Sequence, residues 1–414
     1  MKLSEYIGFL WLHLLNMKHT SRIRDIPERF RNRFSPETVR KSRKYTISRH
    51  RLSIVVESYD LVILFLFVFT GGFGFLESFS IARFDSEAAR AVFFCLGIML
   101  GKQLLELPFS IYGTFVVEQK FGFNKMTPSL FLKDRLKGWI LSLLFGVPLI
   151  YFLIRIIRIA GDAWWIYGFA GLSAFQLFLV WVYPSLIAPL FNRFTPLEDG
   201  PLKTRIMEIA KRIGFGISDI YIMDGSKRSS HSNAYFTGFG KNRRIVLFDT
   251  LIRSLSTPQL IGVLAHEMGH NKLHHIRTNI LLSLSLSFAG FYLWSHLIDY
   301  PPFYRAFGLS GENLFPALVL FPLVMGPLSF FLSPLMNILS RRHEYESDAF
   351  AAEATHRPDD LAEALEILNK ENLSNLNPHP FFSFFYYSHP TLDERLGALE
   401  NLKRALSSGE KRQR

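Results

Sequence analysis

Cysteine is almost absent: the 414-residue chain carries one, Cys95. No intrachain disulfide can form and no cysteine cage for a metal is available, so any metal site must be built from other side chains. Cys95 lies in an apolar run and reads as a small buried residue. There is no internal repeat, no low-complexity tract, and no small-residue cleavage site of a secretory signal after the apolar stretch Ile7–Met17. Acids are outnumbered, 35 against 47 Lys and Arg, for a net charge of +12. The basic residues are dispersed through linkers and helices rather than gathered in a stripe, so nucleic acid is not an expected partner.

Charge is also missing, or nearly so, from six long stretches: Leu61–Leu76, Ala91–Tyr112 (interrupted by Lys102 and Glu106), Trp139–Ile154, Ala163–Asn192, Thr278–Ile298 and Asn313–Ser340. The chain is 49% hydrophobic with 41 Phe, yet 20% charged, so the two populations must be segregated. A bilayer core takes about 20 apolar residues as helix. The last three stretches reach that length outright and the first three do so with their flanks. The reading is a mainly α, polytopic membrane bundle of six to seven spans. Ile7–Met17 supplies either an interfacial helix or the seventh.

With six crossings, segments 1–58, 113–137, 191–277 and 341–414 share one face. Only Arg83, Arg90, Arg155, Arg158 and Arg305 lie on the other face and its helix ends, and Lys102 falls inside a span. The remaining 41 of the 47 basic residues are on the first face, which is therefore expected to be cytoplasmic, with anionic lipid as a contact.

Polar chemistry concentrates at His266-Glu267-Met268-Gly269-His270, which reads H-E-x-x-H on a helix. Imidazoles at i and i+4 share a helical face and can close on one Zn²⁺, with the glutamate beside a water. The alternative is a helix that merely carries surface histidines. No proline or glycine interrupts Asn271–Arg277, so the helix is expected to run on into the fifth span, with His270 roughly 15 Å or less from the apolar run. A catalytic zinc takes three protein ligands and keeps one open position. The extended three-histidine pattern fails, since Leu273 and Ile276 occupy the places that it needs. After the sixth span, Arg342-His343-Glu344-Tyr345-Glu346-Ser347-Asp348 offers a carboxylate, but spacing does not choose among Glu344, Glu346 and Asp348. His274 and His275 lie off the i, i+4 register and read as interfacial surface residues. His231 has no assignable role. Lys102 and Glu106, four apart, are either a functional intramembrane pair or a mutually neutralised structural one. The strings Asn233–Phe239 and Arg244–Phe248, around Gly238 and Gly240 with Lys241-Asn242, read as a β-hairpin. Its exposed edge can take an extended peptide, with Asn233, Ala234 and Tyr235 as the expected contacts. Arg395 is a candidate for a substrate carboxylate or, equally, for a structural salt bridge.

Together these residues resemble the type I CAAX prenyl endopeptidases, over roughly residues 45 to 400. The collinear strings include Phe115-Val116-Val117-Glu118, Phe121-Gly122-Phe123-Asn124-Lys125, Ile187-Ala188-Pro189-Leu190-Phe191-Asn192-Arg193-Phe194, Ser226 to Phe239 and Ile245 to Leu251. The resemblance implies one Zn²⁺ per chain held by His266, His270 and Glu344. It also implies Glu267 as general base, Asp348 as a carboxylate behind the ligands, and His389 and Arg395 lining the catalytic centre. It further implies a ring of helices around an intramembrane chamber, and removal of the last three residues of CaaX proteins. Ser347 departs from the usual alanine before Asp348. The expected parts are a basic N-terminal segment 1–58, membrane helices 59–192, a cytoplasmic zinc-protease part 193–277, membrane helices 278–340, catalytic helices 341–405 and a tail 406–414. The compartment would be the inner membrane in a bacterium or the endoplasmic reticulum in a eukaryote, and no oligomer is implied. Two other readings stay open: a quality-control metalloprotease without prenyl specificity, and a zinc-binding transporter or sensor.

Overall fold

A computed structural model of the protein describes residues 1–22, 26–237 and 244–408. Helix α1 covers Lys2–Arg22, so the apolar stretch Ile7–Met17 is the middle of a 21-residue rod, about 31 Å long at 1.5 Å per residue. It lies along α2 (Pro36–Phe69), where Tyr6 meets Ser58 at 2.7 Å, and Gly8 abuts Phe330. This makes α1 part of the bundle wall. The start of α2 is set by Ser35, whose Oγ accepts the Thr38 N–H at 3.1 Å, with Pro36 in the first turn.

The stretch Leu61–Leu76 does not form one helix. It breaks after α2 at Gly71, whose φ of 74° suits glycine, and α3 (Gly72–Arg83) follows. The next spans are α4 (Glu87–Tyr112), α5 (Pro128–Ile159) and α6 (Trp164–Val182). Both α4 and α6 run on through π-helical turns, Gly113–Glu118 and Tyr183–Ile187.

A four-stranded sheet follows: β1 (Phe194–Pro196), β2 (Asp219–Met223), β3 (Ala234–Thr237) and β4 (Arg244–Phe248), in the order β1-β2-β4-β3. The expected hairpin is the antiparallel β3–β4 pair, and β3 forms the sheet edge. Its turn, with Gly238, Gly240, Lys241 and Asn242, lies outside the described residues, as does most of the tail. Helix α7 (Pro201–Ile213) connects β1 to β2.

The H-E-x-x-H helix, α8 (Thr257–Lys272), begins with a capping box between Ser256 and Gln259. It does not continue into the fifth span. His274 takes a left-handed conformation (φ 63°), and a new helix, α9 (His275–Leu297), starts there. Without proline or glycine to announce it, this break is set by how the two helices pack. Helix α10 (Ala317–Thr355) crosses back, and α11 (Pro358–Glu371), α12 (Pro380–Tyr386) and α13 (Leu392–Ser408) complete the chain. The divisions drawn at 58 and 340 fall inside α2 and α10, because a helix does not stop where its apolar run does.

Among the described residues, six helices, 36–69, 87–121, 128–159, 161–191, 275–297 and 317–355, are long and apolar enough to cross a bilayer. Of three buried clusters among these residues, the two larger anchor the fold. One, with Phe30, Ile245, Leu264 and Leu396, packs the sheet and helices α7, α8, α11 and α13. The other, with Phe94, Trp164, Trp294 and Phe315, packs the spans far from that domain. Between these cores the spans enclose a cavity of 590 Å³ bordered by α1, α2, α4 and α10. Lys102, 3.2 Å from both Asp60 and Glu106, sits in its wall.

Helices α8 and α10 approach closely at Gly269, where an added Cβ would stand 3.2 Å from the Ser347 Cα. Gly269→Ala is expected to cost about 1–3 kcal/mol through overpacking, read as a lower unfolding temperature in detergent. Gly138→Ala, where nothing lies within 4 Å, should leave that temperature unchanged or raise it.

Candidate metal centre

Helix α8 turns one face, with Leu260, Val263, Leu264 and Met268, into the core, and brings His266 and His270 to the wall of a cleft of 850 Å³. Helix α10 delivers Glu344 to the same point. The Nε2 atoms of His266 and His270 are 3.2 Å apart, and Glu344 lies 3.4 Å from the first and 3.2 Å from the second. Donors around a tetrahedral zinc with bonds of 2.0–2.2 Å stand about 3.3–3.5 Å from one another. The spacing of the three donors therefore fits an ion. Glu344 Oε2 is moreover buried without a hydrogen-bond partner, a deficit that a cation would satisfy.

Burial opposes charge on His266, but its pairing with the Asp348 and Glu344 carboxylates outweighs it and holds the imidazole up at about 9. Without a cation the ring keeps a proton between two carboxylates; a divalent ion takes that proton's place. Asp348, wholly buried, lies 2.8 Å from His266 Nδ1, so Nδ1–H donates to it and Nε2 is left facing the site. Burial raises the Glu267 carboxyl above its usual range, against the pull of both imidazoles.

Glu344, Glu346 and Asp348 separate by helical angle. Residues 344 and 348 share a face, and 346, about 200° round the helix from 344, points to the other side. There Glu346 accepts from His275 Nε2 at 2.9 Å. His275 is not a surface residue: it is 3% exposed and stacks on His343. Because its Nε2 carries the proton, its Nδ1 is an acceptor, 3.1 Å from His270 Nδ1. His270 must then donate from Nδ1 and turn a lone pair on Nε2 to the site. Each histidine thus has a carboxylate behind it, Asp348 directly and Glu346 through His275. The reading of sequence missed this pair because the break at His274 carries His275 round into the site.

Arg395 is buried, with Nε and Nη2 on Asp348 at 2.9 and 2.5 Å and Nη1 3.4 Å from Glu344. The guanidinium is thus paired with carboxylates of the protein itself, while it still borders the cleft. His389 Nε2 stands 3.3 Å from Glu344 Oε1 at the exposed rim. Asn233, Ala234 and Tyr235 line the cleft together with His266, Glu267, His270, His389 and Arg395.

Residues 16–193 match the CAAX prenyl protease N-terminal family, described as five membrane helices, and residues 196–403 match peptidase family M48. The chain belongs to the CAAX prenyl proteases of peptidase family M48. It is 38% identical to a rice (Oryza sativa subsp. japonica) protein named CAAX prenyl protease 1 homolog, over 89% of this chain and 88% of the other. CAAX prenyl protease 1 of Saccharomyces cerevisiae is 37% identical, over 91% and 88%. The crystal structure of Ste24p from S. mikatae superposes with a TM-score of 0.91 at 34% identity, covering 96% of this chain and 97% of that one. The chain is thus an integral, multi-pass membrane metalloprotease.

Among the residues outside the M48 metal cleft, His231 stacks on Phe123, with Nδ1 2.8 Å from Asn372 Oδ1 and Nε2 3.7 Å from Glu118. It ties the end of a span to α11. The Glu118 hydrogen bond raises the imidazole above its usual range, outweighing burial. A raised histidine contributes its stability below about pH 6.5 and loses it as pH rises through the folded-state value.

Two outcomes are expected. His275→Ala should weaken metal binding by about 10–100-fold, measured by chelator competition on the purified chain; unchanged affinity would exclude the tautomer relay. Raising the pH from about 6 to about 8 should lower the unfolding temperature less in His231→Gln than in wild type.

Proposed function

We propose that the enzyme removes the C-terminal tripeptide from prenylated CaaX proteins, with one zinc ion held by His266, His270 and Glu344 and the catalytic side facing the cytoplasm. The observation that carries this reading is the near-tetrahedral spacing of those donors in a cleft that also runs to the free edge of β3. When bound, zinc supplies an acidified water and a Lewis acid for the scissile carbonyl. Glu267 takes the water's proton and passes it to the leaving amine, a transfer favoured by its raised carboxyl. Asp348 and the His275–Glu346 pair hold both imidazoles with their lone pairs turned inward. His389, on the cleft rim, donates to the carbonyl oxygen as negative charge develops there. Asn233, Ala234 and Tyr235 pair with the substrate as an added strand.

Prenylation is supported by the largely apolar lining of the 590 Å³ cavity, which shares Tyr386 with the metal cleft and so gives an isoprenoid group an adjoining place. The cytoplasmic orientation is supported by the basic residues on the same face as the cleft.

Mass spectrometry of a farnesylated CaaX peptide incubated with the purified chain tests this. Wild type should release the tripeptide, and Glu267→Gln should do so about 10²–10⁴-fold more slowly while still binding zinc. Equal cleavage of the unprenylated peptide would favour the quality-control alternative. Full activity in Glu267→Gln would rule the mechanism out.

A further inference from the structure

A second cleft, of 620 Å³, borders the face of the sheet turned away from its core. Strand register sets Tyr221, Val246 and Tyr235 side by side on that face, while Ile220, Ile245 and Phe236 form a row on the other. Arg244, two residues before Val246, projects on the same side as the tyrosines, over the ring of Tyr221. The opposite wall is made where two spans leave the apolar zone: Leu130 and Lys137 near the start of α5, and Pro184 to Phe191 at the end of the α6 rod.

Lys137, Arg193, Lys227, Arg228 and Arg244 line this cleft, and no carboxylate does. Arg228 is occupied by Asp134, at 2.7 and 3.0 Å, and Lys137 donates to the Leu190 carbonyl. Among the described residues, the side chains of Arg193, Lys227 and Arg244 have no carboxylate partner, so three cations face a concave space uncompensated. Concavity raises the potential that such charges produce. The rest of the wall mixes Ser185, Asn192 and two tyrosines with apolar side chains, and Leu190 and Phe191 lie beside the cations.

A basic, half-apolar cleft at helix ends on the bilayer edge matches an amphiphile rather than a soluble anion. The geometry points to a binding site for an anionic phospholipid headgroup, with its phosphate on Arg193, Lys227 and Arg244 and its glycerol end against Leu190 and Phe191. The site is separate from the metal cleft, but Tyr235 lines both, so an occupant borders the strand proposed to hold substrate.

The test uses the full chain, equilibrated with phosphatidylcholine vesicles with and without phosphatidylserine, then extracted for native mass spectrometry. Wild type should retain phosphatidylserine in preference to phosphatidylcholine. The variant R193A/K227A/R244A should retain at least about tenfold less, and the charge-keeping R193K/R244K should bind nearly as wild type. Equal retention by the triple alanine variant overturns the proposal, as does displacement of the lipid by millimolar inorganic phosphate, which would mark a soluble-anion site. Unchanged lipid binding with lost cleavage of free-acid but not amidated peptides would instead assign the cleft to the substrate's carboxylate, and also overturns it.

Discussion

One buried ion pair holds the centre together. Arg395 reaches from α13 to Asp348 on α10, and Asp348 in turn accepts the Nδ1–H of His266 on α8, so three helices far apart in sequence share one charge network. Both ends of the pair are nearly or wholly shut from water. Removing either partner would leave an uncompensated charge inside, at a cost of about 3–5 kcal/mol. That cost forces the helices into one arrangement, and the same arrangement sets Glu344 one helical turn from Asp348 and against both imidazoles.

Close packing supplies the second constraint. Gly269 lets α8 lie against α10 at Ser347, a position with no room for a large side chain. Ser347 in place of the family's alanine keeps that volume small, and its hydroxyl stands 3.5 Å from His275 Nδ1. Away from this contact the spans bury little of themselves, 6% to 17% of their most apolar windows. The bundle is thus secured at its two ends by separate cores, with an open cavity between them.

The spans, the H-E-x-x-H helix and the β3–β4 hairpin were legible in the chain because each rests on a local signal: the length of an uncharged run, the i, i+4 period, alternation around glycines. The helix ends were less legible. A left-handed His274 carries no composition signal, and it turned the expected continuous helix into two. His275 was misread for the same reason, because a register drawn along one helix does not extend across a break. The basic cleft escaped notice because its cations come from four separate segments that only the folded chain brings together.

By itself, then, the order of residues determined that this chain crosses a membrane several times and carries two imidazoles on one helical face, since bilayer thickness and helical pitch act over a few turns. Spacing left Glu344, Glu346 and Asp348 open and only the resemblance pointed to Glu344; the tertiary structure set Glu344 against those imidazoles, placed the His275–Glu346 pair behind His270, and paired Arg395 with a carboxylate of the protein. These depend on the rotation of α10 about its axis relative to α8. That angle is set by packing at Gly269 and by the pairing of buried charges, which no window of sequence contains.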